Sequence, residues 1–461
     1  MVLKGSKIPR SAWKTLLVLS SIATMVMYAE RMLAPALPIL IDEFNLSYSL
    51  SSWILAMYLI IGAISTPIIG RLSDLYGKKR LLLILMLIYT TGVSIGGFVD
   101  NIYLLLVIRG IQGLGIAMFP IALNIVRGEF PRDKIAIGQG FITSMFAAGT
   151  VIGLLIGANI IHLYGWRFTY FSIAPIAVIL TILIYRLRIR EEVNNSNSID
   201  YLGALTLAIA IGSFLLALTY IDENHNLSLI LTFISISAFI SFIIREKRVK
   251  EPLVNFIIFK GALLPANIIV MLVGFCMFLI FQTIPILVNA PKPYGLEGSI
   301  LDIAYTQLPF AIILLIFGPT SGFIITRIGS IKAIIAGICI VTLGFISLLT
   351  FHNSINTLTL GLAIIAVGLA LINVGITNII ALVTDKRYLG IGFGMHTLIR
   401  VIGSSTGPVV AGVFMQIGLD NGYPSSTAYN NIFLTAVIVS FIMIALSIKL
   451  RSIVIRDNNK V

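Results

Sequence analysis

The chain has 461 residues, of which 58% are hydrophobic and 11% charged, with 32 Lys and Arg against 19 Asp and Glu. A soluble globular chain carries about 25% charged residues, so this composition cannot wet a soluble surface of such a size and excludes an ordinary soluble enzyme or binding domain. The two cysteines, Cys276 and Cys339, both lie in apolar runs and give no disulfide framework or metal site.

Apolar runs of roughly 20 residues, each enough to cross a hydrocarbon core about 30 Å thick, recur from end to end. In chain order, helices are expected over 13–34, 50–70, 81–99, 103–126, 137–162, 168–187 and 201–221. Seven more are expected over 227–245, 263–289, 304–326, 332–351, 356–383, 391–418 and 430–450. Lys4, Lys7, Arg10 and Lys14 precede the first run, which leads straight into further spans and so reads as a retained helix rather than a cleaved leader. Fourteen spans put both termini on one side. The cations agree: Arg31, Arg109 and Arg400 fall in or at the edge of spans, and Arg167 and Lys292 fall in loops opposite the termini. The remaining 27 (32 − 3 − 2) lie on the side of the termini. Positive loops of this kind stay in the cytoplasm, so both ends are expected there, in the cell membrane. The net charge of +13 therefore implies no nucleic-acid partner.

An internal echo divides the chain. "PIIGRLSDLYG" at 67–77 and "PTSGFIITRIG" at 319–329 share a Pro-Gly-Gly spacing, and "GTVIGLLIGA" at 149–158 pairs with "GSSTGPVVAG" at 403–412. The offsets, 319 − 67 = 252 and 403 − 149 = 254, nearly agree. Repeats of this type build many secondary transporters, with the substrate site between the halves near mid-membrane. Two six-helix bundles are expected over 1–190 and 261–461, with an inserted transmembrane hairpin and its linkers over 191–260.

Four stretches carry chemistry. The turn "GRLSDLYGKKR" places Gly70, Asp74, Gly77, Lys78, Lys79 and Arg80 between two apolar runs. The run "VIRGIQGLGIA" buries Arg109 and Gln112 beside Gly113 and Gly115, and an Arg inside an apolar helix must face a cavity or a partner. The first span ends "MYAERMLAPALPIL", with Glu30 and Arg31 followed by Pro35 and Pro38. The fifth carries Gly149, Gly153 and Gly157, small residues that let helices approach closely. Gln282, Asn373, Asn378, His396 and Arg400 are further polar groups inside spans, and Gly407 and Pro408 follow Arg400. The four histidines are scattered, and no nucleotide loop or clustered metal spacing is present.

The turn closely resembles the signature loop G-x-x-x-D-x-x-G-[RK]-[RK]-[RK] of the major facilitator superfamily, and 109–115 resembles its R-x-x-Q-G-x-G helix. The end of the first span looks like the acidic and A-L-P element of the fourteen-span drug:proton antiporter branch. The fifth helix departs from the antiporter pattern, with Leu154 where the family has Pro and Ala158 in place of the last Gly. The resemblance implies an all-α polytopic major facilitator fold of two six-helix bundles plus an inserted hairpin. It implies a monomeric, proton-driven exporter of amphipathic or cationic compounds, not an enzyme, which needs no cofactor beyond the proton gradient. Glu30, Arg31 and Arg109 would couple protons, and the loop about Asp74 would latch one conformation by accepting hydrogen bonds from a facing helix N-terminus. Gln112, Gln282, Asn373, Asn378, His396 and Arg400 would line the cavity, and the glycines with Pro408 would pack helices. The altered fifth helix keeps a proton-coupled symporter or facilitator that imports a specific small solute open as the rival.

Overall fold

The computed structural model describes residues 8–131, 134–189, 200–222, 224–249, 261–384 and 389–458. These hold fourteen helices long and apolar enough to cross a membrane. The first crossing is α1 (Arg10–Arg31), a 3-10 turn (Ala34–Ala36) and α2 (Leu37–Phe44); the second is α3 (Tyr48–Ser51) and α4 (Trp53–Tyr76). Then come α5 (Lys78–Gly96), α6 (Ile102–Glu129), α7 (Ile135–Tyr164) and α8 (Arg167–Arg186). A hairpin of α9 (Tyr201–Thr219) and α10 (His225–Glu246) separates these from α11 (Leu263–Asn289), α12 (Ile300–Ile328) and α13 (Ser330–Thr350). The chain ends with α14 (Ile355–Val383), α15 (Leu389–Ile417), a short ribbon of β1 (Leu419–Asp420) and β2 (Tyr423–Pro424), and α16 (Ser426–Asn458).

Local chemistry explains the boundaries. Asn101, Asp200, Asn224, Ser299 and Ser354 each accept a backbone N–H in the first turn of the helix they precede, which satisfies one of its orphan donors. Gly77 and Gly329 are each the shared hinge of two consecutive helices, at φ of 93° and 85°, a region that glycine enters without a Cβ penalty. The first span differs from its expected 13–34: it breaks after Arg31 and resumes to Phe44. Pro35 and Pro38 lack an N–H and disfavour helical backbone in the residues before them.

Two large hydrophobic cores form, one within residues 12–184 and one drawn mainly from 262–450, with a small third cluster of Trp53, Ala56, Ile60, Leu215 and Val409. Pairings repeat between them: α1 packs on α7 as α11 does on α15, α4 on α6 as α12 does on α14, and α5 on α8 as α13 does on α16. The two bundles meet through α4 with α15 and α7 with α12. The hairpin lies against that seam, with α9 touching α4 and α15, and Trp53 Nε1 donating to Thr219 Oγ1 at 2.9 Å. The outer flank of α10 presents Ile230, Phe233, Ile236, Phe239 and Ile240, apolar surface suited to lipid. The expected domain limits near 191 and 260 lie outside the described residues.

Candidate functional site

The break in α1 creates the site. A helix end leaves its last carbonyls without intrahelical partners. The Tyr28 carbonyl is taken by the Met32 N–H at 2.8 Å, while those of Ala29 and Glu30 are met by Arg109 from α6. Arg109 is fully buried. Its Nη1 donates to Ala29 O at 2.9 Å and to Gln112 Oε1 at 3.2 Å, its Nη2 to Glu30 O at 3.4 Å, and its Nε to Ile54 O of α4 at 2.8 Å. The guanidinium carbon also lies 4.8 Å from the Tyr58 ring centroid. One side chain thus ties α1, α4 and α6 together through charge-assisted hydrogen bonds. The sequence reading grouped Arg109 with Glu30 and Arg31 for proton coupling. The hydrogen bonds go instead to main-chain oxygens, because the broken helix offers unpaired acceptors closer at hand.

The Glu30 carboxylate pairs with its neighbour, Arg31 Nε to Glu30 Oε1 at 3.4 Å. Both are buried, at 7% and 8% exposure, so they sit inside the protein rather than at its rim. Arg31 reaches across to the second bundle, its guanidinium carbon 4.0 Å from the Phe281 centroid and 5.0 Å from that of Phe278, both on α11. Phe281 in turn meets Phe310 of α12 edge-on at 5.2 Å. From α15, the Arg400 carbonyl lies against Gly274 of α11 and accepts from Ser404 Oγ at 2.9 Å, while its half-buried side chain makes no hydrogen bond or ion pair among the described residues. His396, one turn earlier, is buried with Nδ1 unpartnered. The junction thus holds Glu30 and Arg31 against α11, with Arg109 and Gln112 behind them, while His396 and Arg400 stand on α15, which packs on the same α11.

Other expected cavity residues are placed differently. Gln282 Nε2 donates to Ser51 Oγ at 3.2 Å, at the end away from the termini. Asn378 Nδ2 donates to Ser330 Oγ at 2.7 Å, a bond between α14 and α13 within one bundle and not part of the cluster. Asn373 is half-buried, and its side chain makes no hydrogen bond among the described residues. Sequence reading missed Gln307, which is fully buried with both amide atoms unpartnered; a lone Gln inside an apolar run was the available signal, as for Gln282. It also missed Phe278, Phe281 and Tyr58, which nothing in an apolar run marks out.

The small residues pack as their spacing suggests. A Cβ on Gly113 would collide with the Tyr58 carbonyl, and one on Gly115 would crowd Val26 at 3.0 Å. On α7, Gly149, Gly153 and Gly157 lie against Thr24, Tyr28 and Met32 of the first span. Gly407 lies against Phe275 of α11, and Pro408 sits inside α15.

The ends of the seam differ. Away from the termini, Tyr48 N–H donates to Gln416 Oε1 at 2.9 Å, Gln282 to Ser51, and Tyr48 Oη to Gly422 O at 3.5 Å; these are the hydrogen bonds that join the two bundles among the described residues. Toward the termini, Gly70, Gly140, Gly318, Gly322 and Gly394 each have open space for a Cβ. Asp74 is half-buried and makes no hydrogen bond or ion pair among the described residues, and the first side chains of α15 lie outside them. Lys78, Lys79 and Arg80 open α5 just past Gly77. Among the described residues no group of three or more His, Cys, Asp or Glu could hold a metal ion.

Two repeated helical bundles around a charged, membrane-depth junction define a transporter of the two-bundle type. A model of the major facilitator superfamily matches residues 19–312 and 266–459, and the chain belongs to that superfamily. It is 29% identical over 315 residues to Multidrug resistance protein 3 of Bacillus subtilis (strain 168), a match spanning 67% of this chain and 60% of that protein. The multidrug transporter protein MdtP of the same organism is 26% identical over 90% of this chain and 77% of its own. The tetracenomycin C resistance and export protein of Streptomyces glaucescens is 25% identical over 91% and 79%. Among solved structures, an auto-inhibited POT family peptide transporter superposes with a TM-score of 0.68 at 15% identity, over 96% of this chain and 97% of that one. The human organic anion transporter MFSD10 gives 0.66 at 14% identity, over 95% and 100%. At such identities these two establish the fold alone.

Proposed function

We propose that this protein exports amphipathic, drug-like compounds across the cell membrane in exchange for protons, by alternating access between bundles formed by residues 1–190 and 261–461. The observation that carries the reading is the Glu30 carboxylate, buried at the junction of the bundles and held by Arg31, which itself rests on the opposite bundle. A carboxylate is costly at membrane depth, so it is the natural group to gain and lose a proton. Relatives named for resistance and export support the direction of transport. The termini and the basic loops lie in the cytoplasm, where Lys and Arg are retained. The bonded end then faces outward, and the open end admits compounds from the cytoplasm. The turn at 70–80 latches the alternate pose, when the terminal ends close and Asp74 meets α15. The hairpin over 191–260 is an insert beside the seam, the chain works as a monomer, and the proton gradient is its energy source, without a cofactor.

The test uses inverted vesicles loaded with a pH-sensitive dye. Adding a transported compound should release protons from the energised lumen in the parent protein and not in Glu30→Gln. If Glu30→Gln exchanges protons as well as the parent across several substrates, the proton site lies elsewhere. Concentrative uptake into whole cells that collapses with the gradient would replace export by symport.

A further inference from the structure

The inserted hairpin has two unlike faces on α10. The inner one is buried at Ser228, Ser235 and Phe242, and the two serines donate to the carbonyls of Ala217 and Ala210 on α9, each at 2.8 Å. The outer one ends, near the C-terminus of the helix, in an open groove of about 340 Å³ lined by Ser241, Ile244, Arg245, Arg248 and Val249. Positions 241, 245 and 248 fall on one helical stripe. Just past them α10 stops, and the Arg245 carbonyl accepts the N–H of Arg248 at 2.8 Å and of Val249 at 3.1 Å, a turn that keeps both residues at the groove.

The polar groups of this groove are half satisfied. Arg245 Nε donates to Asp200 Oδ1 at 2.6 Å, and the same oxygen caps α9 by accepting the Gly203 N–H at 2.9 Å. A planar guanidinium fixed along one edge is oriented for a bidentate partner on the other. The Arg245 Nη groups make no hydrogen bond among the described residues, and the exposed Arg248 side chain makes no hydrogen bond or ion pair there. The two carboxylates nearby are turned inward: Asp200 and Glu246 are 3% and 2% exposed, and a Cβ on Gly203 of α9 would come within 2.8 Å of Asp200 Oδ2 and Glu246 Oε1. Ser241 Oγ donates its proton to the Ser237 carbonyl at 2.8 Å, which leaves its lone pairs for an outside donor.

We infer that this groove holds one anionic glycerophospholipid. Its phosphodiester lies on the Arg245 Nη groups and on Arg248, a headgroup hydroxyl donates to Ser241 Oγ, and an acyl chain runs along Ile244, Ile240 and Phe233. These three apolar side chains are exposed and share the stripe of the groove. From Ile244 back to Phe233 is 244 − 233 = 11 residues, a rise of about 16 Å along a helix, which matches one leaflet of a hydrocarbon core about 30 Å thick. With that flank in lipid, the two arginines stand at headgroup level, where basic pockets suit anionic headgroups. A zwitterionic headgroup fits less well, because its ammonium finds two guanidinium groups and no outward-facing carboxylate. The inference is independent of the direction of transport. It gives a lipid partner to the hairpin whose α9 touches both bundles.

Ile240→Trp puts a fluorophore on the stripe that lipids with brominated acyl chains quench on contact. In detergent micelles, the purified full chain with this change should be quenched by brominated phosphatidylglycerol at a roughly tenfold lower concentration than by brominated phosphatidylcholine. That is the ratio expected of one charge-assisted hydrogen bond, read as the quenching in excess of that of Trp13, Trp53 and Trp166 in the parent. Arg248→Gln should abolish the preference and Arg248→Lys should retain part of it. Arg451→Gln, which removes an exposed cation of α16, should leave it intact. Equal quenching by the two lipids, or a preference that survives Arg248→Gln or falls as far with Arg451→Gln, overturns the inference. Soluble glycerophosphoglycerol should compete poorly; if it displaces the lipid at equal concentration, the groove is a site for a soluble anion and the lipid assignment fails.

Discussion

Helices α1 and α11 occupy equivalent places in the two bundles, yet one is broken and charged while the other is continuous and apolar. Gly153 lies against the Tyr28 carbonyl and Gly407 against the Phe275 carbonyl, an offset of 275 − 28 = 247. The same offset pairs Pro38 with Pro285, Pro35 with Gln282, and Arg31 with Phe278. Pro265 in its first turn and the single interior Pro285 leave α11 unbroken from Leu263 to Asn289; the additional Pro35 stops α1 at Arg31. Only the broken helix needs a donor from outside, and Arg109 supplies it. Arg31 then stacks on Phe278, its own counterpart across the junction. One packing frame thus serves as passive scaffold on one side and as the charged, reactive element on the other.

The largest expected effect tests that dependence. Arg109→Met leaves the carbonyls of Ala29 and Glu30 without donors and should cost roughly 2–6 kcal/mol, read as a lowered thermal midpoint in detergent. A midpoint close to that of the parent would mean that the break in α1 does not rely on the guanidinium. Next, Gly153→Val and Gly407→Val should each destabilise by about 1–3 kcal/mol, since both force apart a tight helix pair. A large effect at one and none at the other would break the equivalence of the bundles, and Gly70→Ala, with open space around it, should stay within about 0.5 kcal/mol of the parent. Pro35→Ala should let α1 continue and give the freed carbonyls backbone partners. The pair Pro35→Ala and Arg109→Met should therefore be less harmful than the sum by about 1 kcal/mol, measured by a double-mutant cycle. Smallest, Gln416→Ala removes a bond of about 1 kcal/mol from the outer seal. It should shift the open–closed balance there about fivefold, read by spin-label distances across the seam.

Much of this was legible in the chain. The fourteen spans, the glycine hinge at 77 with its echo at 329, and the small-residue stripe of α7 follow from hydropathy and spacing, because each is a local property of a helix or a turn. Glu30, Arg31, Arg109 and Arg400 stood out because charge inside an apolar run is costly wherever it faces. Their partners were not legible. Arg109 binding main-chain oxygens depends on where a neighbouring helix stops, and Phe278 and Phe281 are ordinary residues in an apolar run until Arg31 lies over them. Asn378 looked like Gln282 in the sequence, yet it bonds within its own bundle while Gln282 bonds across the seam.

The sequence alone determined that the chain is a membrane-spanning helical repeat, since the bilayer imposes span length, charge exclusion and internally satisfied backbone on every crossing independently. It also determined which few side chains must have a special role. Tertiary structure alone decided which of them meet. Two bundles packed about a seam set Arg31 of one on Phe278 and Phe281 of the other, and hydrogen bonds join one end of that seam. Such pairings arise between residues hundreds of positions apart, where no periodicity along the chain records which faces come together.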